Sequence, residues 1–387
     1  MPWNKRSEVE QRLWLVQRVR QGTCTIAALS REAGLSRQTI YKWLRRYREQ
    51  RLGGLRERSR KPLSNKDKTS PLWLRRIRRE RLRHPTWGAR KLRWKLRRKH
   101  GADQLPAPAT ISRWLKRWGL SKGKRRQLRG RVIGRGRLHV PRRCHEVWTV
   151  DFKGWYRTGQ GQRVHPLTVR DLYSRYGLAI ELLSSQGLTE TRKAFRRIFR
   201  EHGVPERIRC DNGTPFGGAG PTRLTRLSVW WMKLGIQVEF IRPGKPCDNG
   251  AHEQFHRIYK AEVADRPSRS VRGQQERSRR WLRYYNEERP HQALGDRRPR
   301  ELYRRNRRRL TAIKSWDYPG KWLRKWVKGN GEISHQGNRR YVGEAFARDM
   351  VGLKPIRPGS WEVYFREKLV GELRENESGR IRMARYE

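Results

Sequence analysis

Apolar residues recur at helical spacing through the first third of the chain and at alternate positions through much of the rest. In TIAALSREAGLSRQTIYKWLRRY (Thr25 to Tyr47), Ala28, Leu29 and Ala33 share one side. Gly34 suits a turn and Ser36 an N-cap; Ile40, Trp43, Leu44 and Tyr47 then return at helical intervals. This predicts a helix-turn-helix within a helical stretch over 8–50. A second helical block follows. TWGARKLRWKLRRKHG (86–101) places Leu92 and Leu96 on one face. ATISRWLKRWGL (109–120) groups Ile111, Trp114, Leu115 and Trp118, with Thr110 or Ser112 as its expected cap. The Gly-, Pro- and Lys-rich RLGGLRERSRKPLSNKDKTSP (51–71) reads as a linker between the blocks, and SKGKRRQLRGRVIGRGR (121–137) as another.

From Val147 the period changes. VWTVDFKGWY, VHPLTVRDLYSRY and LAIELLSS read as three strands. After them come a helix over 188–203, a short strand at 207–213, a helix over 223–235, a strand over 236–244 and helices over 249–263 and 271–287. This order predicts a mixed α/β sheet with helices on its faces. EERPHQAL (287–294) reads as a polar connection leaving that core. GEISHQGNRRYVG, VGLKPIRPGSWEVYF and KLVGELRE predict a small C-terminal β-barrel-like or sandwich domain. The expected division is two all-α helix-turn-helix domains at 1–55 and 72–122, linkers at 56–71 and 123–137, an α/β core at 138–300 and a β-rich domain at 301–387.

Charge turns this layout towards a partner. The chain carries 95 Lys plus Arg against 36 Asp plus Glu, a net charge of +59. Such a chain attracts polyanions, and nucleic acid is the partner its charge fits, bound in a salt-sensitive way. The basic residues run over most of the length, and 17 Trp with periodic apolar positions indicate folded domains, not a disordered polycation. Arg37, Gln38 and Lys42 lie on the polar side of the first block's second helix, where base or phosphate contacts are made; Arg113 and Lys116 lie similarly in the second block. The C-terminal domain is expected to bind DNA as well. Cys24, Cys144, Cys210 and Cys247 form no CxxC pair, so neither a zinc finger nor a disulfide framework is expected. MPWNKRSEVEQ lacks the apolar core of a signal peptide, and no stretch matches a membrane span. The expected setting is cytoplasmic and nucleoid-associated, without a membrane partner.

In so basic a chain the ten aspartates stand out. Asp151 lies within a strand, on the face of Val147 and Thr149. Asp211 ends a later strand, in CDNGTPF, and Glu253 lies one turn into a helix. Each has an ordinary reading: Asp211 as a turn residue, Asp151 as a hydrogen-bonded strand residue, Glu253 as a first-turn helix charge. Asp171 fits a ligand or a surface turn equally. On the helix from Asn249, Ala251, Phe255, Ile258 and Tyr259 form the apolar stripe, with Glu253, His256, Arg257 and Lys260 opposite. Three carboxylates from a strand, a strand end and a helix can meet at one sheet edge. There they would form a hard-oxygen site for Mg²⁺ or Mn²⁺ able to clamp a phosphodiester.

WTVDFKGWY, RCDNGTPF and PCDNGAHEQFHRIYKAEV resemble the three catalytic blocks of DDE transposases of bacterial insertion sequences, which have a retroviral-integrase-type core. LTVRDLYSRY, LSVWWMKLGI and YNEERPHQAL are similar to further segments of that core, so the resemblance covers about 137–300. It implies an RNase H-like fold with Asp151, Asp211 and Glu253 as catalytic residues and ligands of two Mg²⁺ (or Mn²⁺) ions. It also implies DNA contacts from Lys260 and from the loop at Asn212 and Gly213. Asn249 and Gly250 match the start of the catalytic helix. The implied activity is cleavage at the element's ends and joining of their 3′-OH groups to target DNA, by a homo-oligomer that pairs two ends. Between Asp211 and Glu253 lie 41 residues (253 − 211 − 1), more than in many retroviral-type relatives, and GGAGPTRLT can hold the excess as a loop. The alternatives are a non-catalytic DNA-binding protein or repressor on the same core, and a metal-dependent nuclease that cuts without joining.

Overall fold

The computed structural model describes residues 7–59, 69–121, 138–218, 222–242, 246–377 and 379–383. The expected linker at 123–137 and most of that at 56–71 lie outside them. The chain forms two compact units, Met1–Lys68 and Thr69–Glu387.

In the first unit, α1 (Glu8–Arg20), α2 (Ile26–Ala33) and α3 (Arg37–Gly54) pack around Leu15, Leu29 and Ile40, with Val16, Trp43 and Leu55 beside them. Ser7 and Glu10 close a capping box on α1, and the Thr25 hydroxyl accepts from Ala28 N–H. The α2–α3 turn is the expected one. Gly34 has φ of +65°, which glycine adopts without the clash a Cβ meets, and Ser36 accepts from Thr39 N–H at 3.2 Å.

The second unit opens with α4 (Pro71–Arg83), α5 (Ala89–His100) and α6 (Pro108–Arg117), packed around Trp73, Ile77, Trp87, Leu92, Leu96, Ile111 and Leu115. Neither Thr110 nor Ser112 caps α6. The cap falls three residues before Thr110, with Pro108 in the helix's first turn and Ala107 at the cap. Proline's fixed φ sets the start there, at a position whose N–H has no helical partner.

The core sheet follows. Its elements are β1 (Val147–Phe152), β2 (Tyr156–Arg157), β3 (Arg163–Asp171), β4 (Gly177–Leu183), α7 (Leu188–His202), β5 (Arg207–Cys210), α8 (Arg226–Lys233), β6 (Gln237–Phe240), α9 (Gly250–Tyr259), α10 (Val271–Glu287) and α11 (Pro299–Leu302). The strand order is β2-β3-β1-β5-β6, with β4 paired to β3. The β1–β3 and β3–β4 pairs are antiparallel; β1–β5 and β5–β6 are parallel. Period-2 alternation sorts β1 between two layers. Trp148 and Val150 join Phe195, Phe199, Trp230 and Trp231 of α7 and α8. Thr149 and Asp151 face α9, which packs with α10 through Phe255, Tyr259, Trp281, Leu282 and Tyr285.

EERPHQAL is not a solvated connection. Arg289 is 2% exposed, and its guanidinium donates to Glu262 Oε1 at 2.9 Å and to Thr86 Oγ1 at 3.2 Å. The Thr86 hydroxyl donates to the same Glu262 oxygen, and Trp281 Nε1 donates to its other oxygen at 2.5 Å. His84 stacks between Trp87 and Tyr284 and meets the Tyr284 hydroxyl at 2.8 Å. These contacts seat the second helical block on α10.

After Tyr303 the chain runs to residue 322 without regular strand or helix. It is held to the core by Arg308, which donates to the carbonyls of Pro205, Leu234 and Gly235 at 3.0, 2.7 and 2.9 Å. The C-terminal strands are β7 (Leu323–Trp326), β8 (Glu332–His335), β9 (Asn338–Tyr341), β10 (Met350–Arg357), β11 (Ser360–Phe365), β12 (Lys368–Arg374), β13 (Gly379–Arg380) and β14 (Arg382–Met383). They form two open sheets, β14-β12-β11-β10-β7 and β13-β9-β8, where a barrel-like closure was expected. Among the described residues β7 and β14 each pair on one side only, so the ring does not close. The apolar faces (Val327, Ile333, Phe346, Leu353, Val363, Val370) belong to one continuous core with α7 and α8.

Candidate active site

The parallel register of β1 and β5 places two of the expected carboxylates together. The pairs run Val147–Arg207, Trp148–Ile208 and Thr149–Arg209. Carried two residues further, this register brings Asp151 level with Asp211, just past the end of β5, on chains with the strand spacing of about 4.8 Å. Asp211 leaves β5 into a turn in which Gly213 N–H donates to its Oδ1 at 3.3 Å. Asn212 turns its amide inward, donating to Ile241 O at 2.7 Å, and so ties this loop to the end of β6.

Glu253 is exposed on the first turn of α9. The helix begins at Gly250 after a 3-10 turn, Pro246–Asn249. Within that turn the Arg242 guanidinium grips Asp248 with two hydrogen bonds, at 2.9 and 2.8 Å. Lys260 is exposed where α9 passes into a π-helical turn (Lys260–Ala264). It lies seven residues after Glu253, on the same side.

The face of α9 turned to the sheet differs from the expected one. His252 and His256 are buried, at 0% and 7% exposure, with Phe255 and Tyr259. His256 was expected on the polar side. Instead its Nε2 meets Thr168 Oγ1 at 2.7 Å and its Nδ1 lies 3.6 Å from Asp151 Oδ2. His252 meets Thr168 Oγ1 at 2.6 Å and Thr149 Oγ1 at 2.8 Å. Asp171, for which a ligand's role stood open, is wholly buried at the other end of β3. There it accepts from His145 N–H at 2.7 Å and from Ser174 N–H and Oγ–H at 2.8 and 2.5 Å. It is a structural knot.

Burial pushes the Asp151 carboxyl up to about 7, and the charges of Asp211 and Glu253 act the same way. Phe152 N–H and Lys153 oppose them. Asp211 is raised by burial against the pull of Gly213 N–H. Burial, with the charges of Lys153 and Arg170, lowers His256 to about 3, so its approach to Asp151 is a neutral imidazole's and not an ion pair. Carboxyls crowded until they resist ionisation are a hard-oxygen donor set suited to a divalent cation, whose charge would offset theirs. Among the described residues no three His, Cys, Asp or Glu side chains converge as a ready-made metal cage.

Of the expected DNA contacts, Arg37, Gln38 and Lys42 are exposed at the start of α3. Arg113 and Lys116 are exposed on α6, where Arg113 also donates to Thr110 Oγ1 at 3.3 Å.

Integrase core domain models match residues 141–246 and 234–299, spanning both strand carboxylates and α9. An insertion element IS407 protein of 31.7 kDa from Burkholderia multivorans (strain ATCC 17616 / 249) is 29% identical over 206 residues, covering 51% of this chain and 69% of its own. An insertion element IS476 protein of 39.2 kDa from Xanthomonas euvesicatoria is 25% identical over 173 residues, covering 44% of this chain and 48% of its own. The model of the IS481 family transposase C-terminal domain matches 324–377. Together these matches support an insertion-sequence transposase with an integrase core. Helix-turn-helix and homeodomain-like models match the transposase at 11–62 and 39–115, which identifies its helical part as DNA-binding. Among solved structures, the HTLV-2 integrase catalytic core domain in complex with magnesium (trimeric form) is 15% identical. It covers 42% of this chain and 99% of that one, with a TM-score of 0.33. A simian T-cell lymphotropic virus intasome in complex with PP2A regulatory subunit B56 gamma is also 15% identical, covering 77% and 98%, with a TM-score of 0.38. Among the described residues of the transposase no helix is long and apolar enough to cross a membrane.

Proposed function

We propose that the transposase is a strand transferase that binds the terminal repeats of its element, cleaves at the ends, and joins the freed 3′-OH groups to target DNA. One observation carries this reading: the parallel β1–β5 register brings Asp151 level with Asp211, which directly follows β5, and the helix bearing Glu253 packs on β1 and β3 beside Asp151. These three residues would hold Mg²⁺ or Mn²⁺, two ions per site. When bound, the cations would lower the pKa of the attacking hydroxyl and offset charge on the scissile phosphate and the leaving oxygen. Asp151 and Asp211 would bind from the sheet side and Glu253 from the helix, which would direct the scissile phosphate to the end of β1 and β5. The neutral His256 behind Asp151 adds no positive charge to compete with the cations. Lys260 and the loop at Asn212 meet DNA beside the carboxylates. Arg37, Gln38 and Lys42, with Arg113 and Lys116, read the terminal repeats, and the C-terminal sheets hold backbone. Pairing two ends calls for a homo-oligomer, and the setting is the bacterial nucleoid. The domain limits proposed are those expected above, with the core at 138–300.

The test incubates purified protein with a labelled duplex of the element's own end, Mg²⁺ and a plasmid. Joined product that disappears in Asp151→Asn, Asp211→Asn and Glu253→Gln, with DNA binding kept, is the expected result. Cleavage without joining points to the nuclease, and salt-sensitive binding with neither reaction points to the repressor.

A further inference from the structure

The proposed chemistry names three carboxylates and leaves unexplained a polar cluster directly behind one of them. Thr149, Thr168, His252 and His256 are each at most 7% exposed, deep between β1, β3 and α9. Burying four polar side chains together is unfavourable unless each is hydrogen-bonded. The Thr168 hydroxyl has three partners. It donates to the main-chain carbonyl of Asp151 at 3.0 Å and meets Nε2 of His252 at 2.6 Å and Nε2 of His256 at 2.7 Å. A hydroxyl has one proton and two acceptor positions. With its proton on the Asp151 carbonyl, both remaining contacts must be N–H donors, so each imidazole carries its proton on Nε2. His252 Nδ1 then accepts from the Thr149 hydroxyl at 2.8 Å. His256 Nδ1 lies 3.6 Å from Asp151 Oδ2.

We infer that Thr168 is a positioning residue for the catalytic carboxylates. A single oxygen on β3 fixes the backbone of β1 at Asp151 and pins two successive turns of the helix that carries Glu253. The same hydrogen bonds fix the His256 ring behind Asp151, with Nε2 turned to Thr168 and the Nδ1 edge 3.6 Å from Oδ2. Arg170, two residues along β3, adds a second tie to α9 by donating to Ala251 O, with its guanidinium 4.9 Å from the Phe255 ring centroid. This inference rests on the reading of Asp151, Asp211 and Glu253 as cation ligands.

The experiment uses the full chain and Mn²⁺ as the probe. Free Mn²⁺ is counted by its electron paramagnetic resonance signal, beside DNA affinity and the rate of joining at saturating element-end duplex. Thr168→Val is expected to weaken Mn²⁺ binding and slow joining by about 10- to 100-fold, with DNA affinity within about 2-fold of the unmodified protein. Thr168→Ser, which keeps the hydroxyl, is expected to restore both. Thr149→Val removes only the far partner of His252 and is expected to produce a smaller loss in the same direction; it also serves if Thr168→Val does not fold. Unchanged Mn²⁺ affinity in both valine variants, or a serine variant as impaired as Thr168→Val, overturns the inference. If Asp151→Asn binds Mn²⁺ as the unmodified protein does, the ligand reading itself has failed and takes the inference with it.

Discussion

Asp151 is the residue whose chemistry depends most on its surroundings. An unfolded aspartate titrates near 3.9, whereas burial, Asp211 and Glu253 hold this one up to about 7. Between those values the folded state binds the extra proton. Its contribution to stability is therefore complete below pH 4 and is lost as pH rises through 7. In chelator at pH 8, Asp151→Asn is expected to resist urea better than the unmodified protein by roughly 2–4 kcal/mol. The gap should narrow as pH falls towards 5. A gap independent of pH would show that the carboxyl is not held protonated. The elements that carry Asp151, Asp211 and Glu253 (a strand, a strand end and a helix) were legible in the sequence, because each follows its own apolar period. His256 was not. His252, Phe255, His256 and Tyr259 follow an i, i+3, i+4, i+7 stripe, but imidazoles at two of the four positions hid it. Only the threonines on β1 and β3 explain how they are buried, and strand register is not visible in a single sequence.

At the scale of elements, periodicity located the helices and strands that bear the site, because 3.6- and 2-residue repeats leave a trace in the pattern of apolar positions. Tertiary use of polar segments leaves no such trace. EERPHQAL has the composition of a surface turn, yet Arg289 is buried against Glu262 under the second helical block. Open sheets and a closed barrel also share the same alternation, so the C-terminal topology lay beyond the pattern. The Arg289–Glu262 pair gives a sharp expectation. Glu262→Ala leaves a buried guanidinium without its carboxylate and should cost about 3–5 kcal/mol in chemical denaturation. Glu262→Gln, which keeps acceptors for Thr86 and Arg289, should cost less. Equal losses would mean that the charge of Glu262, and not the acceptor it offers Thr86, is what holds Arg289.

For the whole molecule, the excess of basic residues governs DNA binding. Affinity for duplex should fall steeply between 50 and 200 mM salt, on the order of 10³-fold if six phosphates are engaged. Replacing Arg113 and Lys116 together by alanine should flatten the slope of log affinity against log salt by about 2 if both meet phosphates. Gln38→Ala should leave the slope alone and relax discrimination between sequences if it meets a base edge. A double variant with the original slope would remove α6 from the interface.

The long irregular run from Tyr303 to residue 322 joins two parts that share one apolar core. Lys233 of α8 also pairs with Asp349 beside β10. A protease cut within that run would break the polypeptide without parting the molecule. The two fragments should migrate together through gel filtration and separate only in denaturant. Expressed as separate chains, they should find each other and restore a folded unit.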